Sequence, residues 1–82
     1  MIYVREELIN HDTIGMWVDG ILDMESLPVM REVCAHHLEN HRKVIIYLQG
    51  VLHITQEGRD FLQKIREKVT IVGECANIAS EE

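Results

Sequence analysis

The chain has 82 residues, enough for one small domain with a modest hydrophobic core. Its 14 acidic and 8 basic residues give a net charge of −6 at pH 7, which argues against nucleic acid or an anionic membrane as the main partner. No apolar run approaches the roughly 20 residues of a membrane-spanning helix, and the N-terminal residues lack a secretory signal. We therefore expect a cytoplasmic protein without membrane insertion.

The first part of the chain predicts a β-hairpin. Apolar residues alternate with polar ones from Ile2 to Leu8 and again from Thr13 to Asp19, as in strands with one buried face. Asn10-His11-Asp12 predicts the turn between them. Trp17 should point away from the apolar face of the second strand.

The first helix should begin near Ser26 and end around His41 to Lys43. Ser26 is a candidate N-cap, and Pro28 is tolerated in a first helical turn. Residues three or four apart form an apolar stripe, with His37 beside it: Leu27, Met30, Cys34, Leu38 and His41.

The segment Val44–Leu48 is typical of a central strand buried on both faces. Gln49-Gly50 should end this run before the chain returns to the sheet edge at Ile54. Thr55 is then a good N-cap for a second helix. One face of that helix is apolar and should pack on the sheet: Gly58, Phe61, Leu62 and Ile65.

A short β-branched run, Val69–Val72, predicts a fourth strand. Strands that alternate with helices in this way pair in parallel through right-handed crossovers. We therefore predict an α/β fold in the order β-β-α-β-α-β, with two helices packed on a small four-stranded, mixed but mainly parallel sheet. Residues 1–82 should form a single domain, although the signals after Gly73 are weak.

Several short motifs resemble those of a STAS domain in their order and spacing. The STAS domain is the fold of anti-sigma factor antagonists and of the cytoplasmic part of anion transporters. The segment Gly20–Asp23 resembles the family's G-x-L-D, and Ser26–Met30 resembles the start of its first helix. Val44–Gly50 matches the strand that ends in D-L-S-G, and Ile54–Gly58 falls on the loop usually written I-D-S-S-G. The resemblance covers most of the chain.

The chain departs from the STAS pattern in the central strand and in the loop that follows it, and these departures matter more for function than the matches do. Tyr47 replaces the usual strand aspartate, Thr55 replaces the loop aspartate, and Gln56 and Glu57 replace the two serines. In the antagonists a serine here is phosphorylated by a partner kinase, which releases the complex, and Glu57 occupies the matching position. Glu57 would then stand in for a permanent phosphoryl group.

The resemblance and the position of this loop together predict a docking surface for a protein partner. Binding sites of open parallel sheets lie at the carboxyl ends of the strands, where helix N-termini converge. The predicted partner-binding residues follow the central strand: Thr55, Gln56, Glu57, Gly58, Arg59, Asp60 and Gln63. The partner would be a kinase-type anti-sigma factor or, alternatively, the ATPase of an ABC transporter. Thr55 has the only hydroxyl of the loop and is the local candidate for phosphorylation.

Because few residues follow the fourth strand, we expect the family's last helix to be absent or reduced. Apolar surface should then be exposed and covered by a docked partner or by a second copy in a homodimer.

A metal site is the alternative from a different functional class. Cys34, His37 and His41 lie on successive turns of the first helix, and the two histidines have the i, i+4 spacing of paired metal ligands. Cys34 and Cys75 are otherwise expected to be free thiols. We expect no enzyme activity and no cofactor, because no nucleophile lies in a strand-to-helix elbow and no glycine-rich phosphate loop occurs.

Overall fold

The computed structural model describes residues 2–73. It contains six elements in chain order: β1 (Ile2–Asn10), β2 (Thr13–Leu22), α1 (Leu27–Glu39), β3 (Lys43–Ile54), α2 (Gln56–Ile65) and β4 (Thr70–Val72). The strands form one sheet in the order β1-β2-β3-β4. β1 is antiparallel to β2, and the other neighbours are parallel. The predicted fold class and order of elements are confirmed.

The hydrophobic core lies between the two helices and one face of the sheet. Alternate residues of β2 and β3 supply the sheet side, and the apolar stripes of the helices supply the other. The main contributors are Ile14, Met16, Val18, Val44, Ile46, Leu48, Leu27, Met30, Cys34, Phe61 and Leu62. Because the three parallel strands follow each other in space as in sequence, right-handed crossovers place both helices on the same face.

The opposite face of the sheet has no helix over it among residues 2–73. The predicted burial of β3 on both faces is therefore wrong, since Ile45 and Tyr47 are only half-buried. Trp17 points to this face, as predicted, and its ring stacks on that of Tyr47 with 4.4 Å between centroids. The guanidinium carbon of Arg5 lies 4.8 Å from the centroid of the same indole. Aromatic residues that are far apart in sequence thus meet on this face.

Gln49-Gly50 does not interrupt the central strand, contrary to the prediction. β3 runs unbroken for 12 residues, and its parallel register with β2 shifts between Trp17 and Asp19 and again between Gly20 and Ile21. At the first shift the carboxylate of Asp19 occupies the space that a Cβ on Gly50 would need. The shift in register is therefore accommodated by a glycine inside the strand, and no loop interrupts β3.

Helix α1 begins where predicted, but Ser26 does not cap it with its side chain. The Ser26 hydroxyl is buried and accepts a hydrogen bond from the backbone N–H of Asp23 at 2.9 Å. In return, the carboxylate of Asp23 accepts from the backbone N–H of Ser26 at 3.1 Å. The serine therefore closes the turn between β2 and α1, which fixes where the helix starts.

Helix α1 ends at Glu39, earlier than predicted, through a Schellman motif. The backbone N–H of His41 donates to Leu38 and that of Arg42 donates to His37, both over 3.0 Å. His41 adopts a left-handed conformation with φ of 61° and is exposed. The predicted stripe is thus wrong in its last turn, because His37 is the buried histidine.

Two predictions fall on residues 74–82, which lie outside the described part. They concern the packing of Cys75 and the reduction of the family's last helix.

Candidate protein-docking surface

The turn from β3 to α2 is held to the end of β2 by Thr55. Its backbone N–H donates to the carbonyl oxygen of Leu22 at 3.0 Å. Its hydroxyl oxygen accepts from the backbone N–H of Gly58 at 3.3 Å, which makes Thr55 the predicted N-cap. The hydroxyl also donates to the Leu22 carbonyl over 3.4 Å. Every polar atom of Thr55 that faces the turn is therefore engaged.

Gly58 lets the first turn of α2 approach β2 closely. A Cβ at this position would lie 2.6 Å from the carbonyl oxygen of Leu22 and 2.9 Å from Cγ2 of Ile54. Gly58 is buried, so it positions the helix start and offers no side chain to a partner. Thr55 and Gly58 are thus the supporting part of the predicted surface.

The outward side of α2 carries the residues that a partner can reach. Gln56, Glu57, Asp60 and Gln63 are exposed, and Arg59 is half-buried. The amide of Gln56 donates to the carboxylate of Asp60 over 3.0 Å, which links two successive turns. Glu57 lies in the first turn of the helix, where the helix dipole favours a negative charge.

Helix α2 is flanked by two clefts. The larger, about 460 Å³, lies between α2 and α1 and is lined by apolar residues including Met24 and Phe61, with Glu57 and Lys64 among its charged residues. The guanidinium of Arg31 lies 5.9 Å from the ring centroid of Phe61 in this cleft. The second cleft, about 240 Å³, lies on the β4 side.

Sequence reasoning missed the residues of the larger cleft. No pattern in the sequence singled out Arg31 or Met24 as lining a cleft. Met24 is 61 % exposed, and a large apolar side chain in a short connection was the signal that could have indicated this cleft.

The structure does not assemble the predicted metal triad. Cys34 is buried, His41 is exposed beyond the end of α1, and no group of three His, Cys, Asp or Glu suited to a metal ion occurs among the described residues. Burial raises the pKa of the Cys34 thiol to about 11, which disfavours the thiolate that a metal needs. Cys34 is a core residue.

His37 has protein partners on both ring nitrogens instead of a metal. Its Nε2 lies 2.5 Å from the carboxylate of Glu6 in β1, and its Nδ1 lies 3.1 Å from the guanidinium of Arg42. Because a guanidinium only donates, Nδ1 accepts and Nε2 donates. His37 therefore joins β1, α1 and the segment leading to β3.

Solved structures with the same arrangement of strands and helices include an anti-sigma factor antagonist from Mycobacterium paratuberculosis. It superposes with a TM-score of 0.76 at 18% identity, over 96% of this chain and 74% of that one. The chain has the STAS-type fold of anti-sigma factor antagonists. No protein-family model and no curated protein matches it.

Two further structures share this STAS-type fold. The anti-sigma factor antagonist SpoIIAA in its unphosphorylated form gives a TM-score of 0.70 at 13% identity, over 94% of this chain and 78% of that one. An uncharacterised DUF3478-family protein with a SpoIIAA-like fold, from Shewanella loihica PV-4, gives 0.63 at 16% identity, over 94% and 70%. At these identities the likeness establishes the fold alone.

Neither helix in the described range of the STAS-type domain is long and apolar enough to cross a membrane.

Proposed function

We propose that this chain is a non-catalytic, cytoplasmic protein-interaction domain in bacterial signalling that docks through the β3–α2 turn and the outward side of α2. The observation that carries the proposal is that this segment combines a fixed backbone with exposed polar side chains. Thr55 and Gly58 fix the helix start against β2, while Gln56, Glu57 and Asp60 project into water. Preorganised polar groups of this kind suit recognition by another protein. Neighbours of the same fold named as anti-sigma factor antagonists support this role.

Glu57 gives this surface a charge that needs no kinase. A carboxylate in the first turn of a helix is stabilised by roughly 0.3–1 kcal/mol through the helix dipole. A phosphate would carry about −1.5 to −2 charges and three acceptor oxygens, whereas a carboxylate has one charge and two oxygens. By its resemblance to the STAS loop, Glu57 replaces the phosphorylatable serine. One carboxylate imitates a phosphoryl group only in part, so the loop carries a permanent negative charge that is smaller than the charge that releases the antagonists' complexes.

Thr55 is a poor substrate for a kinase in this fold. Its hydroxyl both accepts from Gly58 and donates to Leu22, and a phosphoryl group would break both hydrogen bonds. Incubation with candidate kinases and ATP should leave Thr55 unmodified. A mass shift that disappears in Thr55→Ala would contradict this expectation.

The cleft between α1 and α2 adds an apolar anchor site beside the charged residues. Phe61 and Met24 line it, and Glu57 and Lys64 supply charges of both signs. Interfaces commonly place one aromatic or aliphatic side chain in such a cleft and surround it with polar contacts. We therefore propose a partner that inserts an apolar side chain here and places a basic group near Glu57.

Affinity capture with matched variants tests the proposal. The wild-type domain should retain an anti-sigma factor kinase or, alternatively, a transporter ATPase. Glu57→Lys together with Asp60→Lys should weaken that complex roughly 10- to 100-fold, because two close charge pairs become repulsive. Glu32→Lys on the exposed side of α1 is the control and should bind normally.

The identity of the captured protein separates the two partner classes. Binding that survives both substitutions on α2 would overturn the proposed surface. Glu57→Ser tests the charge itself: it should change the affinity for the captured partner and create a substrate for a kinase partner. If Glu57→Ser bound the partner with unchanged affinity and was not phosphorylated, the proposed role of Glu57 in binding would be wrong.

A further inference from the structure

The outer edge of β1 is long, exposed and well suited to pairing. β1 spans nine residues at the end of the sheet, and no described strand lies beyond it. It contains no proline or lysine, two of the residues that commonly protect such edges. Its pairing with β2 is irregular only near its end, between Leu8 and Asn10. Three large apolar side chains on β1 are exposed, with 72 % of Tyr3, 66 % of Leu8 and 44 % of Ile9 accessible.

The two faces of β1 carry different residues. Arg5 lies over Trp17 and Ile9 lies over Gly15, which places the odd-numbered residues on the helix-free face. Glu6 contacts His37 of α1, so the even-numbered residues lie on the helix side. Any strand added beyond β1 must match both patterns.

We propose that β1 pairs antiparallel with β1 of a second copy, centred on Glu6, to form a continuous eight-stranded sheet across a two-fold axis. This centre places Arg5 opposite Glu7 of the second copy, twice by symmetry. Tyr3 then faces Ile9 across the new pairing on the helix-free face, and Val4 faces Leu8 on the helix side. The surface is distinct from the docking surface on α2, and the dimer leaves that surface open.

Charge selects this register over its neighbours. Centring the pairing on Arg5 would oppose two guanidinium groups, and centring it on Glu7 would oppose two carboxylates and set Glu6 against Leu8. Neither of these registers gains an attractive charge pair, whereas the proposed one gains two. Arg5 and Glu7 are 2.8 Å apart within one strand. In the proposed register Arg5 faces Glu7 of the second copy, and Glu7 faces Arg5 of the second copy. The four charges then alternate in sign. The cost is one Glu6–Glu6 contact, and each Glu6 is already bound to His37.

Charge reversal tests the pairing and its register together. By analytical ultracentrifugation the wild type should sediment as a dimer at micromolar concentration. Arg5→Glu and Glu7→Arg should each raise the dimer dissociation constant roughly 10- to 100-fold, because two attractive pairs become repulsive. An equimolar mixture of these two variants should form a heterodimer, and the double variant should dimerise as the wild type does. Glu32→Arg on α1 is the control and should remain dimeric.

A wild-type protein that stays monomeric at its highest soluble concentration would overturn the proposal. So would a dimer that both single variants retain, since it would use another surface. Failure of the two single variants to pair with each other would rule out the register. Loss of the dimer in Glu32→Arg would show that net charge, and not β1, governs association. Circular dichroism should show the same secondary structure in all variants, because the side chains of Arg5 and Glu7 are 62% and 54% exposed.

Discussion

The ring of Trp17 in β2 stacks on the ring of Tyr47 in β3, with an interplanar angle of 10°. The pair joins two parallel strands on the face of the sheet that no described helix covers. The pair should therefore stabilise the register between β2 and β3.

A double-mutant cycle measures this contribution. Trp17→Leu and Tyr47→Leu should each destabilise the domain, with a coupling energy of about 0.5–1.5 kcal/mol between them. Urea denaturation of the four proteins gives the value. The control cycle pairs Trp17→Leu with Phe61→Leu on the other side of the sheet, where coupling should be below about 0.5 kcal/mol. Equal values in the two cycles would mean that the stack contributes nothing specific.

Gly58→Ala should destabilise the domain even though alanine favours helices. The added methyl would lie 2.6 Å from the Leu22 carbonyl, and overpacking of this kind costs about 1–3 kcal/mol. The gain in helix propensity recovers about 1 kcal/mol, so the net loss should be up to about 2 kcal/mol. Gln63→Ala, at an exposed position of the same helix, is the control for thermal denaturation and should change stability by less than about 0.5 kcal/mol. A Gly58→Ala protein more stable than wild type would show that α2 moves away at little cost.

His41→Gly should stabilise the domain. His41 has a φ of 61°, and the left-handed conformation costs a residue with a Cβ about 1–2 kcal/mol. Glycine adopts it without strain, and chemical denaturation should show a gain of about 1 kcal/mol. Glu32→Gly, in the interior of α1, should instead lose up to about 1 kcal/mol. Loss of stability in His41→Gly would indicate that the imidazole makes a compensating contact.

Stability should fall at alkaline pH because of Cys34. Burial raises its pKa from 9.0 to about 11 in the folded protein, so the unfolded chain releases the thiol proton first. Above pH 9 the unfolded state binds fewer protons, and the free energy of unfolding therefore decreases until about pH 11. Denaturation across this range should show a shallower decrease in Cys34→Ala. Parallel curves for the two proteins would contradict the raised pKa.

The same burial should protect Cys34 from alkylation. At pH 8 the thiol should react slowly with iodoacetamide in the folded protein and rapidly in urea, as read by peptide mass mapping at Cys34. Rapid reaction in the folded state would contradict its burial.

The pattern of apolar residues was sufficient to predict the sheet and its two helices. Alternation in β2 predicted which of its side chains enter the core, and the spacing of Phe61 and Leu62 identified the buried side of α2. In β1 the alternation predicted a buried face, but Leu8 on that face is exposed. Thr55 was predictable as a cap because its role depends only on neighbours three residues away.

Other features depend on contacts that the spacing of apolar residues does not specify. Ser26 resembles a cap, yet its hydroxyl bonds Asp23 and the carbonyl of Ile21. His37, not His41, is buried; its Nε2 donates to Glu6 of β1, and its Nδ1 accepts from Arg42. The cleft beside α2 likewise requires α1 and α2 to be adjacent, which no local pattern specifies.

The two-residue connection between β1 and β2 has a consequence for how the chain reaches its native state. A hairpin with so short a turn closes in about 1–10 μs. The parallel ladder between β2 and β3 must wait until α1 spans the sheet, and closing that larger loop costs more entropy. We therefore expect the joining of β3 to a preformed hairpin to limit the refolding rate.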